Sequence, residues 1–189
     1  VLPCFADDFK NIFLKELEKS IVDSKHLSEK TRVKLLIEES KEISKESVLL
    51  KNKYIPSSST EFREKIIALL NRFENQARKL QFSSDDIQDA KYAYCALLDE
   101  TIVTQQDAQF FELQNSWLIS PLQLSLFGSQ LAGYRFFEIL EELRRKGNSR
   151  LAALEVYHYC MLLGFHGRYR IESIEHLNHL VARVGDEID

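Results

Sequence analysis

Apolar residues recur at helical spacing along most of the chain. Phe5, Phe9, Ile12, Phe13, Leu17 and Ile21 form one stripe, and Val33, Leu36, Ile37, Ile43, Leu50 and Tyr54 form a second. Spacings of three and four residues put such positions on one face of an α-helix. Ser40, Ser44 and Ser47 thin the second stripe without breaking it, so it reads as one long helix. The clearest linker runs from Tyr54 to Thr60. There Pro56 disfavours helix at Ile55, and Ser58 followed by Glu61 fits a capping box. A third stripe then carries Phe62, Ile66, Leu69, Leu70, Phe73, Ala77 and Leu80.

Ser83 to Asp86 opens the next helix, with its carboxylates where the helix dipole favours them. From Ile87 to Val103 this segment is apolar around most of its circumference, which marks a central helix packed on several sides. Gln105 to Pro121, holding Trp117, reads as irregular. Short helices follow at Leu122–Phe127 and Tyr134–Arg145, the latter ended by Gly147. Asn148 or Ser149 then caps a helix from Leu151 to Leu163, and a last one runs roughly from Ile171 to Val184 before Gly185. All six glycines lie after Phe127, which argues against sheets and their turns. The pattern specifies an all-α fold of about seven to eight helices, with N-terminal helices over 1–82 and a second set over 83–189.

Charge and composition narrow the function. Residues 1–80 hold 16 Lys and Arg against 13 Asp and Glu, whereas 81–189 hold 9 against 16. No basic stripe of the kind that nucleic acid demands is present, and the acidic half suits a basic protein surface. The three cysteines, Cys4, Cys95 and Cys160, are odd in number and far apart, which points away from a disulfide framework or a zinc ribbon and towards the cytoplasm. The apolar run Val156–Phe165 is too short to span a membrane.

Asp99-Glu100 is the sharpest anomaly, a charged pair ending the most apolar helix. Adjacent carboxylates on a helix point about 100° apart, so they address different neighbours. On residues alone, two roles stay open: accepting hydrogen bonds from backbone or arginine within the fold, or serving as a docking or catalytic acid in a cleft, with docking favoured because no partnered nucleophile accompanies the pair. Trp117 is likewise a core residue beside Leu118, Ile119 and Leu122, or an aromatic anchor for a partner. In Gly164-Phe165-His166-Gly167-Arg168-Tyr169-Arg170 a helix stops, the chain turns and two arginines follow. They bind an anion or, as favoured here, pair with the acidic half at Asp99 or Glu100. His176 with His179, and His158 with Cys160, lack the three or four ligands a zinc site needs. No catalytic or phosphate-binding motif is present, and neither catalytic residues, a cofactor nor a metal is expected.

Three ordered blocks resemble a known family. Asp89 to Glu100 resembles the “A-x-Y-A-x-x-A-x-L-D-E” signature of the DotU/IcmH/TssL proteins of type VI and type IVB secretion systems. Trp117, Pro121 to Gly128 and Ala132 to Phe137 resemble that family's “W-x-x-x-P-L-Q-x-x-L-F…A-G-x-x-F-F” segment. Leu154 to Tyr169 resembles its “L-E-x-x-Y-x-C-L-x-L-G-F-x-G-R-Y” ending. The Trp-Gly that many type VI members carry after the acidic pair is absent, Val103 to Asp107 standing there.

The resemblance implies one cytoplasmic domain of two small helical bundles over 1–189, followed beyond residue 189 by a single transmembrane anchor in the inner membrane. It implies a TssM/IcmF-type membrane partner, baseplate components as cytoplasmic partners, and self-association through the anchor. It places Asp99 and Glu100 at a cleft used for these contacts, with Trp117 as a candidate anchor beside them. The expected function is a non-enzymatic link between the membrane complex and the cytoplasmic machinery, type VI more than type IVB. The alternatives are a soluble helical adaptor and a metal-dependent enzyme using Asp99, Glu100 and His166 or His158.

Overall fold

The computed structural model describes residues 27–188; the stripe from Phe5 to Ile21 and Cys4 lie outside the described residues. Helices α1 (Glu29–Glu39), α2 (Lys41–Lys51), α3 (Ser59–Lys79) and α4 (Ser84–Val103) are followed by a 3-10 turn, Ala108–Phe110. Then come α5 (Phe111–Ile119), α6 (Leu122–Phe127), α7 (Ala132–Lys146), a second 3-10 turn (Gly147–Arg150), α8 (Leu151–Leu162), α9 (Tyr169–Glu172) and α10 (Ile174–Ile188). The fold is all-α, and seven of its described helices reach ten residues.

Helix α4 is the axis. Its near-continuous apolar surface packs against α2, α3, α5, α6, α7 and α8, and Tyr94, Cys95, Leu97 and Leu98 are buried on different sides of it. Helix α1 also packs on α8, and the helices before and after α4 share it through one continuous core. Arg150 fixes the register between them, its guanidinium 2.6 Å from Asp86 and 2.6 Å from Asp89 in the first turns of α4. Ser83 caps that helix, its hydroxyl accepting from the Asp86 N–H at 3.1 Å. Ser58 does the same for α3, accepting from the Glu61 N–H at 3.2 Å.

Four local readings are corrected. The long helix expected over Val33–Tyr54 is two helices that break at Ser40. The serines that thin its stripe are buried and form a polar seam against α4. Ser40 Oγ donates to Ile37 O at 2.7 Å and accepts from the Tyr94 hydroxyl, and Ser44 Oγ donates to Ser40 O. Such side-chain bonds compete with the helical ladder. Thr101 Oγ1 donates to Leu97 O at 2.7 Å, so the Ser47 hydroxyl, 3.1 Å away, donates to Thr101.

The stretch Gln105–Pro121 is largely helical. Phe110, Leu113 and Trp117 face inward at helical spacing, but exposed Phe111, Leu118 and Ile119 mask the period. Helix α8 begins from a 3-10 turn without a side-chain cap, and Ser149 Oγ bonds Lys146 O instead. The last helix is interrupted at Ser173, which is extended (φ −173°), and continues through Gly185 to Ile188. Leu177, Leu180 and Val184 bury its apolar face, and α10 packs on α8.

Candidate functional site

The last turn of α4 delivers Asp99 and Glu100 to one side of the molecule, and each carboxylate grips a different loop. Asp99 Oδ1 accepts from Trp117 Nε1–H at 2.6 Å and from the Leu122 N–H at 2.9 Å. Its Oδ2 accepts from the Gln123 N–H at 3.0 Å. The residue before α6 is Pro121, which offers no side-chain cap, so a carboxylate from another helix caps α6. Gln123 passes the chain onward, its Oε1 accepting from the Ala132 N–H at 2.7 Å where α7 starts without its own cap.

Glu100 faces the turn after α8. Its Oε1 accepts from the His166 N–H at 2.8 Å and from Arg170 Nη2 at 3.1 Å, and its Oε2 accepts from the Gly167 N–H at 2.7 Å. Gly167 sits at φ +51°, and a Cβ there would meet Gly133 O and a Phe137 ring carbon at 2.8 Å. The Arg168 N–H donates to Gly133 O at 2.9 Å, drawing the turn onto the start of α7.

Burial pushes the Asp99 carboxyl above its ordinary value, opposed by the donors at Gln123, Leu122 and Trp117. Those three donors match a carboxylate, which only accepts. Arg63 lies over the Trp117 ring, 4.2 Å from its centroid, and its guanidinium is held below its usual range by burial, with Asp99 opposing. Burial also lowers His166, reinforced by Arg170, and lowers Lys51, whose ammonium donates to Leu163 O.

The structure therefore brings Asp99, Glu100 and Trp117 together at one site but places Asp99 and Trp117 inside it: Asp99 is 3 % and Trp117 0 % exposed. Neither side chain is presented to solvent. Arg170 pairs with Glu100 as the acidic-half reading expects, whereas Arg168 stacks between Phe137 and Tyr169.

Beside the pair opens a cleft of about 390 Å³, floored by Ala96 and Phe165 and lined by Glu100, Gln123 and Arg170. Its rim carries three exposed aliphatic side chains from different elements, Val103, Leu118 and Ile171. The sequence reading missed Gln123 and this rim. Gln123 stood in a quoted motif without a role, and exposed aliphatic residues such as Leu118 blur the helical period without showing which surface they share.

Among the described residues no group of three or more His, Cys, Asp or Glu side chains could hold a metal ion. Burial drives the thiols of Cys95 and Cys160 well up from their usual value, away from the reactive thiolate. No described helix is long and apolar enough to cross a membrane.

Comparison with known proteins gives the family. Residues 45–189 match the family model described as “Type VI secretion system protein DotU”. The cytoplasmic domain of TssL from Acinetobacter baumannii is 72% identical, with TM-score 0.79, over 82% of this chain and 96% of that one. The structure of T6SS SciP/TssL from Escherichia coli Enteroaggregative 042 shares the fold at 21% identity and TM-score 0.63, over 72% of this chain and 76% of that one. No curated protein sequence matches. The chain belongs to the DotU family of type VI secretion system proteins.

Proposed function

We propose that this domain is a non-catalytic docking component of a type VI secretion system. It sits at the cytoplasmic face of the inner membrane, held by an anchor beyond residue 189. It joins a TssM/IcmF-type membrane partner to a baseplate protein, which enters the cleft beside Glu100. The observation that carries this reading is the cleft itself, with an acidic side chain at its base and exposed Val103, Leu118 and Ile171 on its rim. An exposed apolar rim around a charge-paired centre suits a docking surface, the rim excluding water on contact while the charge sets selectivity.

On this reading Asp99 and Trp117 act as positioning residues that hold the wall bearing Leu118, while Glu100, Leu118 and Ile171 meet the partner. The test is calorimetric titration of the 189-residue chain with a baseplate component of its own system. Leu118→Asp and Ile171→Asp change exposed side chains, so circular dichroism should stay unchanged while affinity falls about tenfold or more. Unchanged affinity in both variants would remove the cleft from the interface.

A further inference from the structure

We propose that Arg170 is an internal stand-in for a partner's arginine, occupying the exchangeable acceptor position of Glu100 until the partner displaces it. The proposal rests on the docking reading of the cleft and adds the chemistry of what enters it.

The donors on Glu100 are unequal. The His166 and Gly167 N–H groups belong to a turn fixed by Gly167 at φ +51° and by its close approach to Gly133, so they stay in place. Arg170 is different. It touches only Oε1, at 3.1 Å, through one nitrogen, and its side chain is 47 % exposed while that of Glu100 is 15 % exposed. A single-nitrogen contact from a half-exposed arginine is screened by solvent on its cationic side and is the weakest of the three bonds to Glu100.

When Arg170 swings out, the Glu100 carboxylate keeps its two backbone donors and regains one acceptor site that faces the cleft. A partner guanidinium fits this site. Its planar fork bonds a carboxylate, and its methylene stem packs along apolar surface such as Val103 and Ile171 on the rim. Arg170 then makes binding weaker but more selective: a partner without a cation gains nothing from Glu100 and still has to move the arginine aside.

The probe is N-acetyl-arginine amide, titrated into the 189-residue chain and followed by the backbone amide resonances of His166 and Gly167. In the wild type these amides shift as the probe reaches Glu100. In Arg170→Gln the same shifts appear at about two- to fivefold lower probe concentration, because the internal competitor is gone. Equal or weaker probe binding in Arg170→Gln, or shifts away from residues 164–171, overturns the proposal. This assay contains no baseplate protein, so its failure is separable from that of the docking reading, which falls with Leu118→Asp and Ile171→Asp.

Discussion

Replacing Asp99 tests whether the acidic pair works from inside the fold. Asp99→Ala removes the acceptor for three buried donors, Trp117 Nε1–H and the N–H groups of Leu122 and Gln123. Each buried donor left without a partner costs about 1–3 kcal/mol. Two effects reduce the sum: the desolvation cost of the carboxylate disappears, and α6 can fray to let water reach its first turn. A net loss of about 3–5 kcal/mol is expected, the range for breaking a buried charged network. Against a typical total of about 5–15 kcal/mol, that is a large fraction.

Asp99→Asn keeps one acceptor oxygen but turns an amide N–H₂ towards a donor, so its expected cost is about 1–3 kcal/mol. Urea denaturation reads both changes, and Trp117, the only tryptophan, reports emission from the broken hydrogen bond itself. Asp99→Ala within about 1 kcal/mol of wild type, with unshifted Trp117 emission, would refute the capping role.

Three further outcomes follow from the same geometry. Gly167→Ala adds left-handed strain and a Cβ 2.8 Å from Gly133 O, costing about 2–4 kcal/mol, whereas Gly128→Ala at φ +71°, with no atom within 4 Å, costs about 1 kcal/mol; urea midpoints separate them. Ser40→Ala leaves the buried Tyr94 hydroxyl without its acceptor and lowers stability by about 1–3 kcal/mol, read as a shift in the urea midpoint at unchanged slope. Glu74 is held below its ordinary value by hydrogen bonds from Lys91 and Arg78, so its folded value lies under its unfolded one; the stability gap between wild type and Glu74→Gln is therefore present above about pH 4.5 and closes as pH falls, which urea titrations at a series of pH values should show.

Much of the fold was legible because its signals are local. Pro56, the capping serines Ser58 and Ser83, and the crowded apolar face of α4 state helix limits and burial in nearby residues. The break at Ser40 was not legible, because it depends on hydroxyl bonds to Tyr94, 54 residues away. The helix carrying Trp117 was hidden because three of its apolar residues point to solvent, which destroys the amphipathic period.

The site divided the same way. Asp99 and Glu100 stood out as charges in an apolar helix, and the pairing of Arg170 with the acidic half followed from sign. What each carboxylate holds did not, since four of the six donors are backbone N–H groups, which every residue but proline possesses. Gln123, buried and facing the start of α7, stood in the sequence only as a letter of the family segment, with no physical cue to what it holds.

Site-resolved amide hydrogen exchange on Asp99→Asn and Glu100→Gln tests most directly whether the two carboxylates hold two separate walls of the cleft. Weakening a charged hydrogen bond by about 1.5–3 kcal/mol speeds exchange of the freed amide about 10- to 100-fold. Glu100→Gln should speed exchange at whichever of His166 and Gly167 meets the new amide N–H₂ while Leu122 and Gln123 keep their protection, and Asp99→Asn should free one of Leu122 and Gln123 while His166 and Gly167 keep theirs. Unchanged protection at both pairs, or the same loss at all four amides in either variant, would contradict the account.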